Sequence, residues 1–221
     1  VAWTQTNYRF RNDDGSENAA TWVADTATSV TIPVGYGGTV NFRVRIQAEE
    51  TGTTASTLAP RLYIAKGTAA YAQAGTATTD GCYVRDTSYY TDGSPTTNQM
   101  SNGTPFVVGE LDDLTGICGT SGSIVRYSYT EHEYSLALLD STLAQGNYFA
   151  FRERSGTAAF GTYTVTGTVT VQKVSTATQA NALGAVTIAA TATVANTVYS
   201  GTLTATLGAL AISSTAQTIT S

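Results

Sequence analysis

The stretch YRFRNDDGSENAATW, Tyr8 to Trp22, decides how the chain is read. Tyr8 and Phe10 alternate with Arg9 and Arg11, the period of a strand with one buried face. Asn12-Asp13-Asp14-Gly15-Ser16 follows as a turn, since Gly15 tolerates positive φ and Asx side chains cap local backbone. Trp22 then returns an aromatic anchor, so an opening hairpin is expected.

The same period recurs outward from this stretch. Val40, Phe42, Val44 and Ile46 alternate with Asn41, Arg43 and Arg45, the clearest strand of the chain. Leu62 and Ile64 alternate with Arg61 and Tyr63. Val125, Tyr127 and Tyr129 hold one phase, while Tyr134, Leu136 and Leu138 hold the other. That slip predicts a bulge near Thr130-Glu131. Leu143, Gly146 and Tyr148 give L-x-x-G-x-Y, which resembles the tyrosine corner of immunoglobulin-like and fibronectin-like sandwiches. The resemblance implies that the Tyr148 hydroxyl satisfies a nearby backbone group. Tyr163, Val165, Gly167, Val169 and Val171 then share one face of a last strand.

These segments predict an all-β protein. An immunoglobulin-like antiparallel β-sandwich is expected over residues 1–174, followed by an extended Thr/Ala-rich β-arm over 175–221. The expected core holds Phe10, Trp22, Val40, Phe42, Val44, Leu62, Ile64, Tyr134, Leu136, Leu138, Tyr148 and Val165. Residues 75–123 stand apart, rich in Gly, Thr, Ser and Asp, and a loop that long predicts short strands or an excursion over one sandwich end. It contains both cysteines. A Cys82–Cys118 disulfide is the candidate staple, worth about 3–4 kcal/mol in the chain-entropy picture.

Composition narrows the function classes. Charged residues are 12% of 221, with Lys+Arg 11 against Asp+Glu 16 and a net charge of -5. A phosphate-binding surface needs clustered cations, so a nucleic-acid partner is not expected. No apolar run approaches the roughly 18 residues of a membrane span, so membrane insertion is not expected either. No signal-peptide pattern is read at the N-terminus, where Val1 stands in place of Met; processing or a chain boundary would each account for that.

The tail is the second organising feature. From Val174 to Ser221 there is no charged residue, and LGAVTIAATA at 183–192 matches LGALAISSTA at 207–216. Its Ala, Thr, Ser and Gly side chains bury little area, whereas ordering its backbone costs roughly 1–2 kcal/mol per residue. A private core therefore does not suffice. Pairing with neighbouring subunits is expected through Leu183, Val186, Ile188, Val194, Leu203, Leu207, Leu210 and Ile212.

YRFRNDDGSENAATW, SYTEHEYSLALLD and the Leu-Gly-Ala tail together resemble modules of bacteriophage virion proteins of the tail, fibre or capsid-decoration type. The resemblance implies a structural, non-enzymatic protein located in the virion, whose partners are copies of itself and other virion or surface structural proteins. The alternative is a subunit of a secreted bacterial or archaeal surface filament or adhesin, extracellular or at the cell surface.

Chemistry-bearing residues are sparse. His132 lies between Glu131 and Glu133, but a strand sends neighbours to opposite faces, and no second His exists to build a metal triad. No G-x-S-x-G occurs and no cofactor is implied. Asp13, Asp14 and Glu17, or Glu110, Asp112 and Asp113, are weak calcium candidates, because neither set has the full spacing of a wrapping loop. Asn102-Gly103-Thr104 is a formal glycosylation sequon. Tyr83, Tyr89 and Tyr90 are candidates for stacking on host-surface glycans, with packing under the long loop as the commoner outcome.

Overall fold

The alternating segments become strands, and the rest of the chain covers them. A computed structural model describes residues 2–100, 105–177 and 198–201. In chain order the strands are β1 (Trp3–Asn12), β2 (Val30–Gly35), β3 (Thr39–Glu50), β4 (Pro60–Lys66), β5 (Ala72–Gln73), β6 (Cys82–Val84) and β7 (Phe106–Val107). They continue as β8 (Leu111–Asp112), β9 (Tyr129–Leu139), β10 (Tyr148–Ser155), β11 (Ala158–Ala159), β12 (Thr162–Tyr163), β13 (Gly167–Ala177) and β14 (Val198–Gly201).

They form an all-β sandwich. The first sheet runs β12-β1-β3-β9-β6, and β7 and β8 also pair with β9. The second runs β14-β13-β10-β4-β5, with β11 on β10 and β2 parallel to β13. Among these, β1-β3-β9-β6 reproduces the A-B-E-D order of an immunoglobulin-type sandwich, and β13-β10-β4-β5 the G-F-C-C′ order.

The core between the sheets is aromatic. Phe10, Phe42 and Phe151 meet with ring centroids 5.7–6.3 Å apart, and Val44, Ile46, Leu62, Leu136, Leu138 and Val169 close around them. Val40, Ile64 and Val165 pack against this core while partly buried. A smaller cluster of Trp3, Ala48, Leu58, Ile124 and Phe160 fills one end.

Several expectations are corrected. Trp22 meets β1 by a single bridge to Arg11 instead of a hairpin strand, and it is half-buried with Arg9 and Arg11 stacked on its ring at 4.3 and 4.1 Å. Tyr148 does begin the strand after the corner, but its side chain is 38% exposed. The corner is held by Asn147 Oδ1, which accepts from the Ala144 amide, and by buried Leu143. No bulge interrupts β9, whose register against β3 is continuous from Tyr129 to Leu139. The phase slip arises earlier: Tyr127 takes φ 64°, so exposed Val125 and Tyr127 precede the strand.

The long segment holds the expected short strands, β6, β7 and β8, all paired with β9, while its loops cover a face instead of a sandwich end. Residues 85–100 lie over the outer face of the first sheet, and β7 and β8 run along the edge of β9. Residues 116–124 pair along β4 of the second sheet and the segment before it, with Gly116 O accepting from Leu62 N, Cys118 N donating to Pro60 O and Ile124 bridging Ser56. Gly109 marks the closest approach, where a Cβ would run into the Glu131 carbonyl oxygen and the His132 ring. Replacing Gly109 with Ala should lift the excursion from β9 and cost about 1–3 kcal/mol, the usual cost of overpacking, read as a lowered urea midpoint. An unchanged midpoint would show that the contact is not tight.

Candidate functional site

A strand with one buried face leaves its other face to water, yet here both faces of β3 and β9 are buried. Arg43 and Arg45 alternate with core residues, and the β3–β9 register sets Arg45 against Glu133 and Gln47 against Glu131. On the other side β1 sets Arg11 opposite Arg43. These side chains therefore share the outer face of the first sheet, and Arg11, Arg43, Arg45, Glu131 and Glu133 are all at most 1% exposed.

Burial of so many charges demands nearly complete pairing. Glu133 Oε2 accepts from Arg11 Nη1 at 3.1 Å and Arg45 Nη1 at 3.0 Å, while its Oε1 accepts from Arg43 at 3.3 Å. Glu131 accepts from Arg45 Nε at 2.6 Å, Gln47 at 3.3 Å, and the Gln99 and Met100 amides at 3.1 and 3.0 Å. Asp13 accepts from Arg43 Nη2 at 2.6 Å and the Thr87 hydroxyl at 2.9 Å. Glu17 accepts from Arg45 at 2.8 Å and the Thr97 amide at 3.0 Å, and Thr97 O accepts from Arg45 Nη2. The cluster thus ties the 13–21 loop and the excursion to one sheet.

The pKa directions follow. Burial works against the Arg45 charge, but Glu133 and Glu131 outweigh it and hold the guanidinium above its ordinary value. Burial likewise opposes ionised Glu17, but the Thr97 amide and Arg45 hold its carboxyl below the ordinary 4.5. A depressed carboxyl contributes stability above the unfolded value that is lost as pH falls through the folded one, so this contribution belongs to neutral pH.

The proposed calcium donors are engaged by the protein itself. Asp13 and Glu17 serve the arginines, and Asp14 accepts from the Thr21 amide at 2.8 Å. Glu110 accepts from the Gly119 amide at 2.5 Å, and Asp112 from the Gly116 amide at 2.6 Å and Thr115. Asp113 accepts from the Thr87 amide at 3.2 Å. No cluster of three metal-binding side chains occurs among the described residues.

Cys82 and Cys118 are free thiols, not a disulfide, and both are buried in the main core. Cys82 is committed to pairing with β9, and the Cys118 thiol is directed at Glu110 O, 3.6 Å away. Burial raises the pKa of both thiols. Tyr83 is buried, and Tyr90 donates to Asp112 O at 3.2 Å beneath Arg43, so only Tyr89 of that set is exposed. The sequon and the eight expected assembly residues of the tail lie outside the described residues.

Two further groups were not singled out from sequence. Between the sheets, Glu153 Oε2 meets His132 Nδ1 at 3.0 Å and Tyr134 OH at 3.1 Å, while its Oε1 has no partner among the described residues. Cysteine nucleophiles act as thiolates, and burial keeps nearby Cys118 protonated, with the Glu153 charge adding to the effect. On the outer face of the second sheet, Arg154 lies over Tyr63 at 4.1 Å, and Arg152 over Tyr71 and Tyr163 at 4.5 Å each. A cavity of about 290 Å³ opens beside β5, lined by Ile64, Lys66, Gln73, Asp80 and Phe149 among others.

No family model matches the chain, and no curated protein does. Among solved structures, one described as the N-terminal domain of PorA is similar over 75% of this chain and 96% of that one. Its identity is 9% and its TM-score 0.26.

Replacing Arg45 with Met leaves Glu131 without its cation in a dry site. The change should cost about 3–5 kcal/mol, read as a lowered urea midpoint. Asp25→Ala, at the exposed Arg9 pair, should leave that midpoint in place. Equal midpoints for the two variants would deny the cluster its structural role.

Proposed function

We propose that the protein is a non-enzymatic structural component of a phage virion, of the capsid-decoration, tail or fibre type, that assembles by strand addition through its tail. The observation that carries this reading is β14. This short strand from the uncharged tail pairs in parallel with β13, Val174 against Val198 through Ala177 against Gly201. The tail can therefore extend a sheet, and the same backbone hydrogen bonds serve a neighbouring copy as well as its own chain. The resemblance of YRFRNDDGSENAATW and SYTEHEYSLALLD to virion modules adds to the reading.

The sandwich suits such a part. Its excursion is bound to the sheet by charge pairs as well as by packing, which favours a rigid body. What separates a virion component from a surface filament or adhesin is the company it keeps, so copurification with intact particles favours the first and with cell-surface filaments the second.

Removal of residues 178–221 should leave a folded sandwich with an unchanged far-UV circular-dichroism spectrum and a loss of the oligomers formed by the full chain in sedimentation velocity. Oligomers that persist in the truncated chain would overturn assembly through the tail.

A further inference from the structure

The two sheets treat their arginines differently. Arg9, Arg11, Arg43 and Arg45 each have a carboxylate partner. Arg61, Arg152 and Arg154 form no ion pair among the described residues, in a chain of net charge -5. They share the outer face of the second sheet, where the β4–β10 register sets Arg154 directly opposite Arg61. Like charges directly opposite across a strand pair are destabilising. The Nε atoms of both are buried without a hydrogen-bond partner. Residues 101–104 and the stretch from Val174 to Ser221 have no charged side chain, so neither brings a carboxylate side chain to this face.

The complementary excess lies across the sandwich. Asp86 and Asp92 are exposed on the excursion, with the buried Asp113 beside them. Burial raises the Asp113 carboxyl to about 6, and the charges of Asp86 and Asp92 act in the same direction against the hydrogen bond from the Thr87 amide. Arg85, next in sequence, reaches the Tyr83 hydroxyl instead. Asp86 and Asp92 lie on the part of the excursion held at Asp13 and Arg43 on the outer face of the first sheet, whereas the three arginines lie on the outer face of the second. No ion pair joins the two groups among the described residues.

We propose that the arginine face, Arg61, Arg152 and Arg154, docks on the exposed Asp86–Asp92 surface of a second copy, so that copies stack head to tail. The inference rests on the assembly reading above and names the surfaces that meet. A contact between two different surfaces need not close and extends into an open row. A nucleic-acid strand fits the face less well, because stacked bases need free aromatic faces and Tyr63, Tyr71 and Tyr163 each have a guanidinium over them. The overall negative charge also opposes a dense polyanion.

The test is charge exchange in the full chain, read by sedimentation velocity at about 20 mM and about 500 mM salt. One variant combines Arg152→Glu with Arg154→Glu, the other Asp86→Lys with Asp92→Lys, and far-UV circular dichroism checks the fold of each. Wild type should form larger species at low salt that shrink at high salt. Each variant alone should associate at least about tenfold more weakly, and an equimolar mixture should recover the association, since each supplies the surface the other lacks. Mixing that fails to restore association overturns the proposal, as do variants that associate like wild type. Binding of heparin or single-stranded DNA at the arginine face by a wild-type chain that does not self-associate also overturns it. Association lost on tail removal but untouched by the charge variants leaves the tail reading standing and removes this one; the opposite pattern removes the tail reading and keeps this one.

Discussion

The structure depends on a carboxylate, Glu133, shared by Arg11, Arg43 and Arg45 beneath a covering loop. Each of these ions would cost several kcal/mol to bury alone, and only a nearly complete set of partners offsets that. The set is drawn from the β1, β3 and β9 strands, the turn at Asp13 and Glu17, and the excursion at Thr87, Thr97, Gln99 and Met100. Sheet and cover therefore come as a unit: a cover that leaves exposes ions, and a sheet that shifts register misplaces them. Apolar packing of the same area is often as stable, so the charge cluster is better understood as specifying which loop lies where.

The sandwich itself was legible from side-chain period, because one apolar face per strand is all that period reports. Phe42, Val44, Leu136 and Leu138 are buried as expected. Arg43, Arg45, Glu131 and Glu133 defeated the same logic: a charged residue on a strand normally faces water, and nothing local shows that a segment far along the chain will cover it. The signal available was the coincidence of R-x-R in YRFRN and FRVRI with E-x-E in TEHEY, cations and anions at the same two-residue spacing. Alternation correctly sent His132 away from Glu131 and Glu133, but Glu153 on a distant strand was not foreseeable as its partner. The Cys82–Cys118 bridge failed because spacing says nothing of where buried thiols point. Tyr148 illustrates a motif whose position held while its side chain turned outward.

Inside, charge is balanced by contact; outside, it is separated. Arg61, Arg152 and Arg154 lie on the outer face of the second sheet, the exposed Asp86 and Asp92 lie on the cover of the first, and the tail strand β14 pairs with β13 in the second sheet. Strand addition pairs backbones with little dependence on side chains, whereas opposed charge suppresses wrong partners and fixes register. The assembly proposed above draws on both.

Hydrogen exchange at the Thr97, Gln99 and Met100 amides tests the central claim most directly, because these amides donate to Glu17 and Glu131. At neutral pH they should exchange as slowly as the β9 amides, since the cover opens only when the sheet does. Exchange at unprotected rates while β3 and β9 stay protected would contradict it, showing that the excursion leaves the sheet without disturbing it.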